Sequence, residues 1–291
     1  MTAAAPGRPR AARRTRGPAV RGVRAVVRTL GAPGVLAAAA VLVMAVAVVR
    51  PGLLAPGDPT AIDARAAFTP PGPGHWLGTD ESGRDVWTRV VHGAGASLGI
   101  GAAATAIGVG AGLVLGFAAG LGPRWLDAAI GRVLEVLFAL PTLVLALLLV
   151  AVLGAGVEAS VLAVGAATAP GYARMLRGRV RAVTASGYVE AARLEGHGPL
   201  RVLTRHVLPN TLWPLVSVAT LGIGQAVVWV CALSFLGLGT LPPSPEWGAM
   251  LNAGRVYIGT AWWLTVFPGL AITVTAAALT ALGRRLGTVG A

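Results

Sequence analysis

Residues 98–121 read LGIGAAATAIGVGAGLVLGFAAGL, a run in which no side chain is charged. About 20 apolar residues are enough for a helix to cross the hydrocarbon core of a bilayer. The run holds Gly108, Gly112, Gly116 and Gly120, and residues four apart lie on one face of a helix. Inside a membrane, a smooth glycine face lets another helix approach closely. We therefore predict a membrane-spanning helix in which these four residues form a glycine ridge that serves helix packing.

The composition of the chain is that of an integral membrane protein. Among its 291 residues, 55% are hydrophobic and 12% are charged, whereas a soluble domain has about 25% charged residues. All 24 basic residues are arginine, and the absence of lysine excludes an ATP-binding P-loop. The single cysteine, Cys231, excludes an internal disulfide and a thiolate zinc cluster. The four histidines show no metal-ligand spacing, so we expect no metal site and no cofactor.

Other charge-free stretches predict an all-α fold with six transmembrane helices. A charge at the middle of a bilayer costs roughly 2.5 to 3.5 kcal/mol on insertion scales, so spans avoid charged residues. The fourth predicted span is short, and its helix can continue past Tyr172. The six spans lie at Leu30–Val49, within Val90–Pro123, at Val136–Val157, at Ala159–Ala173, within Val207–Leu241 and at Val256–Gly283.

The arginines orient these spans. Under a six-span topology, 19 of the 24 arginines lie on one side, and the side rich in arginine is normally cytoplasmic. We therefore predict that both termini are cytoplasmic. The predicted segments are an Arg-rich cytoplasmic tail (1–29), a first transmembrane helix (30–49), an extracytoplasmic loop (50–89), a five-helix core (90–283) with a cytoplasmic loop at 174–210, and a cytoplasmic C-terminus (284–291).

The basic tail has two other interpretations. One is nucleic-acid binding, but a basic segment beside an apolar span is routinely an orientation signal. The other is a cleaved signal peptide, whose apolar part has 7–15 residues. The first apolar stretch here has about 20 residues, a length that favours a retained helix. We expect no nucleic-acid partner.

The long cytoplasmic loop has the pattern of two short helices joined at a glycine. Ser186 or Gly187 can cap the first helix, and Glu190 lies in its first turn, where the helix dipole favours a carboxylate. Gly196 can end that helix in a left-handed conformation. Pro199 then fits the first turn of the second helix.

The ends of these two helices suggest a contact with another protein. We expect Pro209 to end the second helix at the membrane. Ala191 and Ala192 give the first helix a small, smooth surface that a cleft on a partner can accept.

These residues resemble the EAA loop of bacterial ABC-importer permeases. The resemblance rests on Glu190-Ala191-Ala192, on Gly196 and on the sequence His206-Val207-Leu208-Pro209-Asn210. This ending resembles the dipeptide, oligopeptide and nickel subgroup. Other stretches of the chain resemble that subgroup in the same order, namely His75–Asp85, the setting of Ser97, Ser234–Gly248 and Phe267–Ala271.

The resemblance implies the permease subunit of an ATP-driven importer that moves di- or oligopeptides by alternating access. A nickel or metal-chelate permease is the alternative, and the sequence does not name the solute. The implied partners are a second permease subunit in a heterodimer, two cytoplasmic ATPases, an extracytoplasmic substrate-binding protein and the lipid of the cell membrane. The first short helix would be the coupling helix, and the residues implied in ATPase docking are Glu190, Ala191, Ala192, Arg193, Leu194 and Gly196.

Two features depart from the family pattern. Glu195 and His197 flank Gly196 where the family usually has a smaller or apolar residue. The sequence Gly283–Gly287 stands where the family usually has an acidic tail.

Three further sequence features give weaker indications of function. Gln225 lies in an apolar span, where it can hydrogen-bond another helix or line the translocation path. Gly95–Gly99 fits Gly-x-Ser-x-Gly, which makes an intramembrane hydrolase with Ser97 a remote alternative. A proton-coupled carrier would need ionisable residues in the spans, and the charge-free runs supply almost none.

Overall fold

The computed structural model describes the backbone of residues 18–289 and the side chains of residues 34–287. Part of the predicted N-terminal tail, residues 1–17, and the last two residues lie outside the described residues. Within the described range the chain is almost entirely helical, as predicted. Its helices are α1 (Pro18–Val49), α2 (Val86–Leu121), α3 (Arg124–Phe138), α4 (Thr142–Leu153), α5 (Val157–Thr184), α6 (Gly187–Leu194), α7 (Pro199–Val202), α8 (Leu208–Phe235), α9 (Trp247–Gly254) and α10 (Trp263–Val289).

The closest helix pair joins α2 to α5 through the glycine ridge. A Cβ atom added at Gly116 would lie 2.7 Å from Leu176 Cβ, and one at Gly120 would lie 2.7 Å from Val180 Cγ1. The other two glycines of the ridge lie against Tyr172. Real Cβ atoms do not approach other atoms so closely. The backbones of α2 and α5 therefore lie closer together than they could if any residue larger than glycine stood at these positions. The span predicted within Val90–Pro123 is therefore part of a 36-residue helix seated on α5.

The α7–α8 rod (Pro199–Phe235) is continuous, and the prediction that Pro209 ends a helix was wrong. Residues 203–207 form one π-helical turn, in which the Leu208 N–H donates to the Leu203 carbonyl. Proline lacks an N–H, and its ring clashes with the carbonyl four residues earlier in an α-helix. The wider π turn lies directly before Pro209, where such a clash would arise, so the helix passes the proline without a break.

The third predicted span is bent. The stretch Val136–Val157 was predicted as one span, but its helix breaks at Ala139–Pro141, and α3 meets α4 at 95°. Pro141 accounts for the break, because a proline disfavours helical geometry at the residue before it and cannot donate to the preceding turn. The last predicted span also begins late. Its first residues, 256–262, form a short 3-10 turn and a loop before α10.

Three helices of the described chain are long and apolar enough to cross a membrane, namely α2, the α7–α8 rod and α10, and the bent pair α3–α4 would be a fourth. α5 has the length, but its second half holds four arginines, and the apolar part of α1 is Gly34–Val49.

The Arg285 guanidinium lies over Gly34, and Gly287 lies beside Ser217 near the start of α8. These contacts bring the start of the apolar part of α1 and the last turns of α10 to one end of the bundle. We call this the α6 end, and the opposite end, which carries residues 50–85, the loop end.

Candidate functional site

The short helix α6 ends as the sequence predicts. Gly196 has φ +84°, which confirms the expected left-handed residue. The Gly196 N–H donates to the Arg193 carbonyl at 3.0 Å, and the His197 N–H donates to the Ala192 carbonyl at 3.1 Å. This pair of bonds satisfies two carbonyls at the end of the helix and reverses the chain into α7.

One face of α6 packs on its own chain. Val189 is wholly buried, and Ala192 is 4% exposed. Val189 joins Val180 and Val183 of α5 and two valines of the α7–α8 rod in a small apolar core. Val189 therefore anchors α6 to α5 and to the rod. Ala192 is buried, whereas the sequence had suggested that it faces a partner.

The other face of α6 points away from the bundle. Leu194 is 85% exposed, and Glu190, Ala191 and Arg193 are exposed beside it. We call these four residues the outward face of α6. An open pocket of about 550 Å³ adjoins it, lined by Arg193, His197 and apolar side chains of the rod.

Two histidines stack beneath α6. The rings of His197 and His206 lie 6.0 Å apart at 21°, and the Tyr188 ring lies 6.3 Å from His206. His197 Nδ1 and His206 Nε2 are buried without a hydrogen-bond partner among the described residues. Nine residues separate the two histidines in sequence, so local patterns did not reveal that they meet. No group of three potential metal ligands forms in the described chain.

An ion-pair cluster joins α3 to α5 near the same end. The Arg177 Nε atom lies 2.5 Å from Asp127 Oδ1, and Arg181 contacts the other carboxylate oxygen. The guanidinium of Arg177, and then that of Arg181, holds the pKa of the Asp127 carboxyl below its usual value. A separate, exposed ion pair within α3 joins Arg132 to Glu135 at 3.2 Å.

At the loop end, acidic side chains order the chain before α2. Asp80 accepts from the Arg84 backbone N–H at 2.9 Å and from Arg84 Nε at 2.7 Å. Asp85 caps α2 by accepting from the Thr88 N–H at 2.8 Å, and it also contacts His75 Nδ1 at 2.9 Å. The predicted outer-loop motif is thus a folded, ion-paired unit on top of α2.

Ser97 does not have the geometry of a nucleophile. It is wholly buried, its hydroxyl donates to Glu246 at 3.3 Å, and it accepts from the Trp247 N–H at 3.0 Å. A hydrolase would need an accessible serine beside a general base such as histidine. These contacts instead give Ser97 a structural role, and they do not support the hydrolase alternative.

Gln225 lies on the exposed surface of α8 and hydrogen-bonds no other described residue. The hydrogen bond to another helix of this chain that the sequence suggested is therefore absent from the described part.

Comparisons with known proteins agree with this architecture. Residues 112–288 match the family model described as "Binding-protein-dependent transport system inner membrane component". A putative peptide transport system permease protein of Brucella suis is 41% identical over 246 residues, which cover 83% of each chain. The di/tripeptide transport system permease protein DppC of Pseudomonas aeruginosa is 40% identical over 239 residues, which cover 79% of this chain and 78% of the relative.

A solved structure has the same fold. An inward-facing form of the MetNI methionine ABC transporter matches with a TM-score of 0.54 and 19% identity, over 70% of this chain and 96% of that chain. The apolar helices and the matched family make this a multi-pass protein of the inner membrane. The chain therefore belongs to the family of binding-protein-dependent transport system inner membrane components, the permease subunits of ABC importers.

Proposed function

We propose that this permease carries di- or oligopeptides into the cell. The observation that carries the proposal is the match, over most of both chains, to relatives that are named for peptide and di/tripeptide transport. These relatives do not favour the nickel alternative. In this architecture a separate binding protein delivers the solute, so the chain needs no covalent chemistry of its own.

The proposed topology has the α6 end in the cytoplasm and the loop end outside. Arg174, Arg177, Arg179 and Arg181 lie on α5 toward the α6 end, where the positive-inside rule expects them. Arg285 lies over Gly34, so both ends of the described chain fall on the same side. The six spans are then α1, α2, α4, α5, the α7–α8 rod and α10.

The outward face of α6 is the proposed docking surface for a partner ATPase. Val189 fixes the inner face of α6 to α5 and to the rod. Force applied to Leu194 or Arg193 would therefore move two long helices together. The rod continues past Pro209 without a break, so it can carry that movement into the membrane. Alternating access would follow from this rigid connection and from ATP hydrolysis in the partner.

The other proposed partners meet other surfaces. The folded loop end presents exposed apolar side chains, including Trp76, to a substrate-binding protein. Gln225 lies on the exposed surface of the rod, where it would face a second permease subunit or the path between the two subunits.

Transport into sealed vesicles tests the substrate. The permease would be reconstituted with its second subunit, its ATPases and its binding protein, and the uptake of labelled dipeptide and of labelled nickel would be compared. We expect ATP-dependent uptake of the peptide. Uptake of nickel without uptake of any di- or oligopeptide would overturn the proposed substrate class.

A further inference from the structure

Helix α3 has two exposed sides of opposite character. With 3.6 residues per turn, the positions facing α5 include Asp127, Gly131 and the buried Leu134. One exposed side is apolar, and its Trp125 is 71% exposed. The other exposed side is mostly polar. We call the first the apolar flank, formed by Trp125, Ala129, Val133 and Val136, and the second the polar flank, formed by Arg124, Ala128, Arg132 and Glu135.

The position of α3 along α5 places it near one surface of the bilayer. Val157, at the start of α5, lies at the loop end, because the Gly156 N–H donates to Leu238 just beyond α8. At 1.5 Å per residue, Arg174 lies about 26 Å below Val157, and Arg181 lies about 36 Å below it. The hydrocarbon core of a bilayer is about 30 Å thick. Arg174 contacts Phe138 of α3, and Arg181 contacts Asp127, so α3 lies at the depth where the core ends.

The direction of α3 also fits a surface position. In the proposed topology, α4 is the part of the bent pair that crosses the core. α3 does not extend this helix across the membrane, because the chain turns by 95° between them. An amphipathic helix that turns away from a membrane-crossing helix at this depth lies along the surface.

We propose that α3 is an interfacial helix that binds the phospholipids of the cytoplasmic leaflet. Its apolar flank contacts the acyl chains, with Trp125 at the headgroup level, where tryptophan is favoured. Arg124 on the polar flank contacts lipid phosphates, to which its charge is complementary, and Arg132 does so with the donors that its exposed pair with Glu135 leaves over. This placement rests on the topology proposed above.

The ion pairs of Asp127 give this surface a connection to the proposed coupling site. Arg177 and Arg181 hold α3 to the part of α5 that leads directly into α6. The lipid bound to α3 is therefore one rigid helix away from the outward face of α6. Anionic lipid in the cytoplasmic leaflet would stabilise the position of the end of α5 from which α6 continues.

Two neighbouring alanines offer a matched test. Ala128 lies on the polar flank and Ala129 on the apolar flank, and both are exposed. Each would be changed to cysteine in a Cys231→Ser background, spin-labelled, and studied in the assembled transporter in vesicles of phosphatidylethanolamine and phosphatidylglycerol. We expect collisions with oxygen to exceed collisions with a water-soluble nickel chelate several-fold at position 129. The reverse order is expected at position 128.

Two outcomes would overturn the proposal. One is equal access of the nickel chelate to both positions, since the apolar flank would then face water. The other is protection of position 129 from both reagents, since a protein subunit would then cover it. Peptide uptake by the same vesicles is measured separately. If α3 did not lie at the membrane surface while peptide uptake stayed normal, this inference would be contradicted but the proposed transport function would not.

The headgroup contact has its own measurement. The variant Arg124→Gln/Arg132→Gln should retain several-fold less phosphatidylglycerol by native mass spectrometry, while its retention of zwitterionic lipid stays unchanged. Equal retention of phosphatidylglycerol by the variant and the parent would count against lipid phosphates as the partners of these arginines.

Discussion

Ser97 donates a hydrogen bond to Glu246, 149 residues away in sequence, across 3.3 Å. Glu246 is wholly buried, and its carboxylate also accepts from the N–H groups of Gly248 and Ala249 at 2.8 Å each. A buried carboxylate is tolerated when donors surround it. The contact fastens the first turn of α9 to α2, so the short helix at the loop end is held by the long helix that carries the glycine ridge.

Replacing Glu246 by alanine should destabilise the chain. Each buried donor left without an acceptor costs about 1 to 3 kcal/mol, and this change removes the acceptor of Ser97 and of two backbone N–H groups. Thermal unfolding in detergent should show a lower melting temperature. The control is Glu158→Ala, which removes an exposed carboxylate at the start of α5. Equal melting temperatures for the two variants would show that Glu246 does not hold α9 in place.

The glycine ridge predicts a difference between two positions on the same helix. Gly116→Ala should destabilise the chain by about 1 to 3 kcal/mol, because the new methyl group overlaps Leu176 of α5. At Gly110 a Cβ would meet no described atom within 4 Å. Gly110→Ala should therefore be neutral or slightly stabilising in the isolated chain, since alanine favours helix. The comparison is made by thermal unfolding, and an equal loss at both positions would contradict close packing at the ridge.

The turn after α6 offers a second matched pair of glycines. Gly196 and Gly198 both have open space around an added Cβ, but only Gly196 has a positive φ, whereas Gly198 has φ −63°. Gly196→Ala should cost about 1 to 2 kcal/mol at the turn and should reduce the ATPase activity of the assembled transporter. Gly198→Ala should leave that activity close to the parent value. Similar activities for both variants would show that the left-handed turn is not needed for coupling.

Patterns of neighbouring residues were enough to predict some parts of this structure, but they could not predict contacts between helices that are distant in sequence. The left-handed residue at Gly196 and the even spacing of the glycine ridge depend on nearby residues, so the sequence is sufficient to predict them. The inward position of Ala192 and the stacking of His197 on His206 depend on how α6 settles against α5 and the rod. Pro209 shows the same limit of prediction from sequence. A proline inside a helix usually ends or kinks it, but here the π turn before Pro209 lets the helix continue.

The two faces of α6 should respond differently to a charge. Leu194→Asp places a carboxylate on the outward face, where it would stay in water, so we expect an unchanged melting temperature and reduced ATPase stimulation. Ala192→Asp places a carboxylate at a position that is only 4% exposed, and it should lower the melting temperature because a buried charge without a partner is costly. Both quantities are measured on the same purified transporter. If Leu194→Asp retained full ATPase stimulation and uptake, α6 would not be the docking surface.

The Asp127 ion pairs should make the attachment of α3 sensitive to acid. Arg177 and then Arg181 lower the pKa of this carboxyl below its ordinary 3.8. A carboxyl with a lowered folded-state pKa stabilises the chain fully above its unfolded pKa, and this stabilisation is lost as the pH falls through the folded value. Asp127→Asn should therefore unfold at a lower temperature than the parent near neutral pH, and the difference should shrink below about pH 4. Thermal unfolding across this range, with Glu135→Gln as the control for an exposed pair, measures the effect. A difference that persists in full in strong acid would mean that Asp127 acts through packing, because its charge is then gone.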